Sequence, residues 1–381
     1  MIRVLFFIHD LGGGGAEKVL VNLANNMDKS RFNVTVQTMF DNGVNRYILK
    51  DNITYKYIFK RVFRGNQHIL KVFNPEFLYK LMINNDYDVV VSYMQGATTR
   101  IVSGCNNNNV VLINWIHNEM SKNMLAHSYR SYNEFVQLYN KFDATIFVAE
   151  TAREIFELET DLRGNNIVRY NTVESEQIIE KSEELIEDTS YNENLINLIT
   201  VGNLSNQKGY DRLLRIIDKL VLEAYQIHLY ILGKGILEKA LKKYVELQGL
   251  SKHVTFLGYK DNPYKYVKNA DLFVCSSYHE GYSTVVTESL IVGTPVLTTL
   301  CSGMREMLGS NNEYGIIVDN NEESLYEGLK RILSDKILLD HYKKRALERS
   351  SYFSKTRTVA EVEDTLMELC KKKYYQKSDF N

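Results

Sequence analysis

The 381-residue sequence has no long apolar run, no excess of charge of one sign, and few cysteines and prolines. Its apolar stretches, such as 4–8, fall far short of the roughly 18 residues that a membrane span needs. Lysine plus arginine number 46 against 47 aspartate plus glutamate, which argues against a nucleic-acid-binding protein. The four cysteines form no Cys-x-x-Cys pair, which argues against zinc and fits a reducing compartment. We therefore expect a cytoplasmic globular protein of two domains.

Short runs rich in β-branched and aromatic residues alternate with helical patterns along the chain. Many runs are continuously apolar, as in VLFFI, DVVVSY and DLFVC, which is typical of strands in parallel sheets. Seven runs come first, at 2–9, 33–40, 53–59, 88–93, 109–117, 144–149 and 166–171. Six follow, at 195–202, 226–233, 253–259, 271–277, 294–299 and 314–319. The alternation predicts an α/β fold with two doubly wound parallel sheets.

A strongly acidic stretch, ESEQIIEKSEELIEDTSYNEN, separates the two sets of runs. Its weakly apolar composition predicts a solvated helix, and its position predicts a domain boundary. We expect an N-terminal domain over 1–175 and a C-terminal domain over 176–356. A last helical segment, about 357–381, is compatible with packing back on the N-terminal domain.

A glycine-rich loop, from Leu11 to Glu17, lies between the first strand and a helix predicted over 16–27. Such a turn lets the backbone approach a phosphate, whose charge the helix N-terminus favours. The GxGxxG pattern would need a glycine where Glu17 stands, which disfavours a dinucleotide-dependent dehydrogenase. The loop alone leaves phosphate binding and an unliganded tight turn equally open.

A second motif, VGNLSNQKG, follows the first strand of the second set and precedes a helix predicted over 211–221. Its Lys208 stands beside Gly209 at the carboxyl end of a parallel strand, a position that suits an anion. A surface lysine is the simpler interpretation of this motif by itself.

The third motif, over 276–288, follows the run DLFVC and carries the strongest signal. Ser283 or Thr284 can cap a helix that runs to about Val292. The N–H groups at the N-terminus of that helix suit a diphosphate.

Two carboxylates flank the start of this helix. Glu280 precedes it and Glu288 lies inside it, so that each can accept hydrogen bonds from hydroxyl groups on one side of a diphosphate. N–H groups that donate to phosphates, flanked by carboxylates that accept from hydroxyl groups, suit a nucleotide sugar. The competing interpretation of Glu288 is an acid placed to match the helix dipole.

With these three motifs, the sequence resembles the family 4, or group 1, glycosyltransferases of the GT-B fold. GGAEKVLVNLA, VGNLSNQKG and EGYSTVVTESLIVGTPV occur in the family's order and spacing, and Glu280 and Glu288 form its Glu-x7-Glu motif. The resemblance covers nearly the whole chain and is most specific over 196–320. It implies two tandem Rossmann-like domains facing across a cleft. Within the family, the sequence looks most like bacterial enzymes of capsule, O-antigen or exopolysaccharide assembly.

The resemblance implies a role for each matched residue. Backbone N–H groups of Gly14 and Gly15 would meet the donor diphosphate, and Lys208 would neutralise it. Glu280 would hold hydroxyls of the donor sugar, and Glu288 those of the ribose. Further donor-side positions are Gly281, Tyr282, Ser283 and Thr284, with Gly258 and Tyr259 near the base.

Two more positions depend on the family pattern. His117 and Asn118, in INWIHNE, resemble the family's histidine near the reacting sugar, with Asn118 on the acceptor side. Asn203 stands where the family commonly has an arginine that contacts the diphosphate together with the lysine. Because asparagine lacks the charge, three outcomes are open: weaker donor affinity, a substitute cation or an inactive member.

The implied reaction moves a sugar from a nucleotide diphospho-sugar, with UDP as the expected nucleotide, and retains the anomeric configuration. No cofactor is expected because the nucleotide sugar is a substrate, and no metal because a lysine and helix N-termini can stabilise the diphosphate. Asp86 and Asp88 spell the acidic motif of metal-dependent enzymes, but they precede their strand. The alternatives are a nucleotide-sugar epimerase of the same fold and a non-catalytic glycosyltransferase-like subunit.

The stretch 52–75 contains no acidic residue and interleaves aromatic with basic side chains. Its basic residues, which we call the membrane patch, are Lys56, Lys60, Arg61, Arg64 and Lys71. They suit an anionic membrane surface and a lipid-linked saccharide acceptor, and an ordinary solvated basic face is the equal alternative. We therefore expect a saccharide or lipid-linked acceptor and a cytoplasmic location, peripheral on the inner face of the cell membrane.

Overall fold

The computed structural model describes residues 1–63, 70–84, 86–120, 129–189 and 191–378. The chain divides into two compact units. The first contains Met1–Val173 and Lys355–Asn381, and the second contains Glu174–Ser354. Each unit is built on its own parallel sheet, because the apolar runs are buried on both faces.

The first unit has seven strands in the order β3-β2-β1-β4-β5-β6-β7. The strands are β1 (Ile2–Ile8), β2 (Phe32–Phe40), β3 (Thr54–Phe59), β4 (Val89–Ser92), β5 (Val111–Ile116), β6 (Ala144–Phe147) and β7 (Asn166–Val168). The helices with described bounds up to Val173 are α1 (Gly15–Asn26), α2 (Pro75–Met82), α3 (Ala97–Val102), α4 (Tyr132–Tyr139) and α5 (Glu150–Thr160), with a 3₁₀ turn at Val44–Ile48. In the register of the central strands, Val4 pairs with Val34 on one side and Val89 on the other.

The second unit has six strands in the order β10-β9-β8-β11-β12-β13. The strands are β8 (Ile196–Val201), β9 (Ile227–Leu232), β10 (Val254–Gly258), β11 (Leu272–Cys275), β12 (Val296–Thr299) and β13 (Ile316–Val318). The helices are α6 (Ser175–Ser182), α7 (Tyr210–Leu222), α8 (Glu238–Leu247), α9 (Tyr264–Asn269), α10 (Thr284–Ile291), α11 (Met304–Leu308), α12 (Glu322–Leu333) and α13 (Lys336–Ser350). Short 3₁₀ turns lie at Asn206–Lys208 and Leu250–Lys252.

The predicted α/β fold class is confirmed. Each of the thirteen apolar runs corresponds to one strand, seven in the first sheet and six in the second. In both sheets the strand order reverses beside the first strand, between β1 and β4 and between β8 and β11. Loops that leave such a reversal at the carboxyl ends of the strands are where open α/β sheets bind ligands.

The last helix, α14 (Lys355–Ser378), packs within the first unit. The Glu363 carboxylate accepts hydrogen bonds from the backbone N–H of Asp28 at 2.6 Å and from Arg31 Nη1 at 3.2 Å. Lys373 Nζ lies 2.6 Å from Asp143 Oδ1. Helices in the described parts of the chain are too short or too polar to cross a membrane.

Candidate active site

Two loops of the second unit meet at the point where its sheet order reverses. Lys208 ends the 3₁₀ turn after β8, and Glu280 lies in the loop after β11. Lys208 Nζ lies 2.7 Å from Glu280 Oε1, and the Ser277 hydroxyl donates to the same oxygen at 2.6 Å. The structure thus brings together two predicted residues and adds Ser277, which the sequence analysis did not identify.

The ion pair with Glu280 keeps Lys208 positively charged. Burial by itself lowers the pKa of Lys208, but the Glu280 carboxylate, with smaller contributions from Cys275 and Cys301, raises it above its ordinary value. The side chain is therefore an ammonium group at neutral pH, beside a buried carboxylate. A fixed cation at the carboxyl edge of a parallel sheet can stabilise an anion.

The two loops are joined by two hydrogen bonds to backbone carbonyl oxygens. Ser276 Oγ donates to the Lys208 carbonyl oxygen at 2.9 Å, and the Tyr278 N–H donates to the Gln207 carbonyl oxygen at 2.8 Å. Gly209 has a φ of 64°, and a Cβ there would collide with the Ser276 carbonyl oxygen. Only glycine fits this close approach, which fixes Lys208 relative to the loop that carries Glu280.

A buried arginine, not identified from the sequence, anchors the same loop. Arg212 of α7 donates from Nε to the Ser276 carbonyl oxygen at 2.9 Å and from Nη2 to that of Ser277 at 2.7 Å. It also donates to Asn320 Oδ1 at 2.8 Å, and its guanidinium lies 4.0 Å from the centroid of the Tyr278 ring. Arg212 is thus a positioning residue for the loop. On an amphipathic helix pattern it could not be distinguished from a solvated arginine.

The remaining residues of the third motif surround the start of α10. Ser283 is the residue before the helix, and its buried Oγ has no hydrogen-bond partner among the described residues. Glu288 lies in the second turn and is buried. Gly281 and Tyr282 are buried in the preceding loop, and Thr284 is the first helical residue. The first N–H groups of a helix have no partner within it, so they can donate to an anion.

Three predicted donor residues lie elsewhere on the second sheet. Asn203 is exposed after β8. Gly258 ends β10, the edge strand two positions from β8, and its carbonyl oxygen accepts from the Gly233 N–H at 2.8 Å. Tyr259 is exposed, and the described contacts do not join it to the Lys208–Glu280 pair.

In the first unit, the glycine-rich loop connects β1 to α1. Gly14 immediately precedes the helix and Gly15 is its first residue. The carboxylate of Glu17 folds back over Gly14, where a Cβ would collide with it, and burial raises the pKa of Glu17. Asp10 Oδ1 accepts from the Gly12 N–H at 2.8 Å and shapes the turn.

His117 follows β5 and is buried in an aromatic environment. Its ring centroid lies 4.6 Å from that of Tyr93 and 6.0 Å from that of Trp115. Burial lowers the pKa of His117 to about 3, so the imidazole is neutral at neutral pH. Its Nε2 has no hydrogen-bond partner among the described residues. Asn118, the next residue, is half-buried.

The membrane patch is partly described. Lys56 lies on β3, with Nζ 3.4 Å from the Tyr87 hydroxyl. Lys60 and Arg61 are exposed after that strand, and Lys71 is half-buried ahead of α2. Arg64 lies outside the described residues.

Within the described residues, no three His, Cys, Asp or Glu side chains form a group that could hold a metal ion. The Asp88 carboxylate is engaged by Arg3 Nη2 at 3.0 Å, next to the amino end of β4.

Family profiles match nearly the whole chain. Residues 13–176 match the profile "Glycosyltransferase Family 4", and residues 174–349 match "Glycosyl transferases group 1". The fold and the motifs define a glycosyltransferase of the GT-B fold. The chain belongs to glycosyltransferase family 4, the group 1 glycosyltransferases, so the resemblance inferred from the motifs is confirmed.

Several relatives and solved structures are similar over most of their length. An N-acetylgalactosamine-N,N'-diacetylbacillosaminyl-diphospho-undecaprenol 4-alpha-N-acetylgalactosaminyltransferase of Campylobacter jejuni is 28% identical, over 94% of this chain and 97% of that protein. The crystal structure of HepE from Anabaena in complex with UDP and glucose has a TM-score of 0.74 at 17% identity, covering 96% of this chain and all of that one. Sucrose-phosphate synthase from Thermosynechococcus elongatus has a TM-score of 0.76 at 14% identity, covering 96% of this chain and 99% of that one.

Proposed function

We propose that the protein transfers a sugar from a UDP-sugar to a lipid-linked saccharide, with retention of anomeric configuration, in the assembly of a cell-surface polysaccharide. The observation that carries the proposal is the Lys208–Glu280 pair, joined at 2.7 Å beside the N-terminus of α10. This arrangement offers a cation and helix N–H groups for a diphosphate, and a carboxylate for sugar hydroxyls.

The chemistry of sugar transfer explains why these groups stand together. The bond that breaks joins the anomeric carbon to the diphosphate, so negative charge grows on the departing diphosphate. Lys208 and the first N–H groups of α10 are fixed before the reaction and favour that charge where it develops. Glu280 and Glu288 are buried acceptors for the hydroxyls of the sugar and of the ribose, respectively. This set of groups also supports metal-independent transfer.

The nature of the donor and acceptor is supported by the relatives. The HepE structure contains UDP and glucose, which supports a UDP-sugar as donor. The name of the Campylobacter enzyme specifies a diphospho-undecaprenol saccharide as its acceptor, which supports a lipid-linked acceptor here. Retention of configuration is part of the proposal, and the resemblance of the motifs to those of the family supports it. His117 and Asn118 are proposed to lie near the reacting sugar and the acceptor.

The test is transfer from a panel of UDP-, GDP- and ADP-sugars to polyprenyl-diphosphate saccharides, followed by mass spectrometry and by NMR of the new linkage. We expect a product one sugar heavier, formed from a UDP-sugar, with the anomeric configuration of the donor. Inversion would contradict the retaining mechanism. Epimerised nucleotide sugar formed without acceptor would favour an epimerase, and a lack of donor binding would favour a non-catalytic subunit.

A further inference from the structure

The turn that follows β9 packs backbone to backbone against the turn that follows β8. Residues 233–235 lie along residues 202–204, and the Leu204 N–H donates to the Lys234 carbonyl oxygen at 2.9 Å. The Gly202 N–H donates to the Leu232 carbonyl oxygen at 3.0 Å just before them. The backbone of Lys234 is therefore fixed beside Asn203.

Two glycines make this approach possible. Gly233 has a φ of 135°, and a Cβ on it would collide with the Gly202 carbonyl oxygen. A Cβ on Gly235 would lie 2.5 Å from Asn203 Oδ1 and 2.6 Å from the Leu204 nitrogen. No other residue fits at either position, so Lys234 is the one side chain that this turn can present next to Asn203.

The charges at this edge of the sheet show what Lys234 can do. Glu280 partly offsets the charge of Lys208, and Asn203 contributes no charge. A nucleoside diphosphate brings further negative charge, which favours a second cation. We propose that the Lys234 ammonium group contacts the donor diphosphate and supplies the charge that Asn203 lacks. This inference deepens the proposed donor site and rests on it.

The test is calorimetric titration of the intact protein with UDP, and with uridine as the probe without phosphates. Lys234→Ala should weaken UDP binding about tenfold, a loss of about 1.4 kcal/mol, and leave uridine binding unchanged. The control variant is Lys239→Ala, which removes an exposed lysine from α8. It should change neither UDP binding nor uridine binding. Asn203→Arg should restore UDP affinity in the Lys234→Ala protein, because it returns a cation to the neighbouring turn.

Two failures are distinguishable in this design. If the unmodified protein does not bind UDP, the proposed donor site is wrong and the role of Lys234 is wrong with it. If the unmodified protein binds UDP and Lys234→Ala binds it equally well, the donor site stands and only the role of Lys234 is overturned.

A separate surface of the first unit leads to a second proposal. In α2, Leu78 and Met82 face the core, whereas Phe77 and Leu81 are 52% and 57% exposed. The α2 apolar face, defined here as Val72, Phe73, Phe77 and Leu81, is exposed throughout. The Phe73 and Phe77 rings stack with centroids 5.7 Å apart. An exposed apolar set on a helix and on the residues just before it is a feature of interaction surfaces.

Buried and half-exposed arginines hold the start of this face in place. Arg100 Nη1 donates to the Leu70 carbonyl oxygen at 2.6 Å. Arg130 donates from Nε to the Lys71 carbonyl oxygen at 2.5 Å and from Nη2 to that of Val72 at 2.6 Å. With its backbone carbonyls bound, the segment presents its side chains outward in a fixed arrangement.

The surrounding charges identify the occupant. Lys60, Arg61 and Lys71 belong to the acid-free stretch before α2, and the end of β3 contributes to the same core cluster as Leu78. The acid on α2, Glu76, is paired with Lys80 at 3.0 Å. An apolar face with lysines next to it in sequence, Lys71 beside Val72 and Lys80 beside Leu81, fits a bilayer surface with anionic headgroups. We propose that the α2 apolar face inserts into such a surface.

Tryptophan fluorescence can report this insertion directly, because the single native tryptophan, Trp115, is buried. With vesicles of phosphatidylcholine and phosphatidylglycerol, Phe77→Trp should show a blue shift and quenching by brominated acyl chains. Leu158→Trp, at an exposed position of α5 in the same unit, should show neither. Phe77→Gln with Leu81→Gln should weaken vesicle binding about tenfold or more, and Leu158→Gln should not.

Several outcomes would overturn the second proposal. They are an unshifted Phe77→Trp spectrum, unchanged vesicle binding by the double variant, or a dimer in solution that the double variant dissociates while vesicle binding is absent. Vesicle binding is measured without donor or acceptor, so these outcomes leave the proposed sugar transfer unaffected. An unchanged free energy of unfolding in urea shows that the double variant is folded.

Discussion

Lys208 Nζ and Glu280 Oε1 lie 2.7 Å apart, although 72 residues separate them in the chain. Because the Lys208 side chain is half-buried and Glu280 is buried, each stabilises the charge of the other in a place with little water. Two loops that leave the centre of one sheet thus provide a cation and a carboxylate within one small region. A nucleotide sugar presents the complementary groups, a diphosphate and hydroxyls.

Loss of the Lys208 charge should weaken donor binding. We expect Lys208→Ala to cost about 1.5–3 kcal/mol of UDP binding free energy, the scale of a charge-assisted hydrogen bond. Lys252→Ala is a matched control, because it removes an exposed lysine just before β10, at the amino edge of the same sheet. Isothermal titration with UDP measures the affinity of both variants. Equal UDP affinities for Lys208→Ala and Lys252→Ala would show that Lys208 makes no contact with the diphosphate.

Arg212 should affect donor binding without touching the donor. Lysine at this position cannot make the separate bonds to the carbonyls of Ser276 and Ser277. Arg212→Lys should lower the free energy of unfolding by about 1.5–3 kcal/mol. It should also weaken UDP binding under conditions where the protein is fully folded. Urea unfolding and titration measure the two effects, and a destabilised variant with normal UDP affinity would show that the arginine only supports the fold.

The buried His117 should make stability depend on pH. Its pKa falls from an ordinary 6.5 to about 3 in the folded protein, so below pH 6.5 protons bind preferentially to the unfolded chain. The contribution is complete above pH 6.5 and is lost as the pH falls, by about 1.4 kcal/mol per pH unit. His117→Asn should remove this slope between pH 6.5 and about 5, whereas His341→Asn, at an exposed position, should not. Parallel pH slopes for His117→Asn and the unmodified protein would contradict the buried neutral state.

The membrane patch should bind anionic vesicles reversibly and less tightly at higher salt. If some of its basic residues face the bilayer, they contribute about 2–4 kcal/mol at roughly 1 kcal/mol each. Changing Lys60, Arg61 and Arg64 to Glu should release the protein from vesicles and leave UDP binding intact. Exposed lysines of the second unit provide the control triple, Lys239, Lys243 and Lys252 changed to Glu. Co-sedimentation with vesicles compares the two triple variants. If the variant of the membrane patch still binds vesicles, the patch is an ordinary solvated face.

Turnover should not require a divalent metal, since the proposed diphosphate contacts are lysines and helix N–H groups. We expect the same rate of sugar transfer in excess EDTA as in added manganese. Activity lost in EDTA and restored by manganese would assign the stabilisation of the leaving group to a metal instead.

The sequence was sufficient for the fold because buried parallel strands have a distinctive composition. Each apolar run corresponds to one strand. The glycine-rich loop and the Glu-x7-Glu motif lie where a strand is followed by a helix. No sequence-based prediction covers helix α2, whose eight residues follow a basic, aromatic stretch with no clear period. An outward-facing Phe77 cannot be distinguished from a core residue before the neighbouring elements are known.

The parts of the site that escaped prediction depend on contacts between distant segments. Ser277 and Arg212 become meaningful only when the loop after β11 lies against the start of α7. The place of Lys234 beside Asn203 depends on two turns that the neighbouring strands β8 and β9 bring together. Local motifs predict which residue types the site contains. The order of the strands in the sheet determines which of these residues are in contact.

The central claim is that the donor nucleotide binds at the carboxyl edge of the second sheet. A crystal structure of the protein with UDP tests this most directly. We predict a diphosphate within hydrogen-bonding distance of Lys208 Nζ and of the first N–H groups of α10, with the ribose hydroxyls on Glu288. A well-ordered UDP bound away from Lys208 and Glu288 would contradict the account.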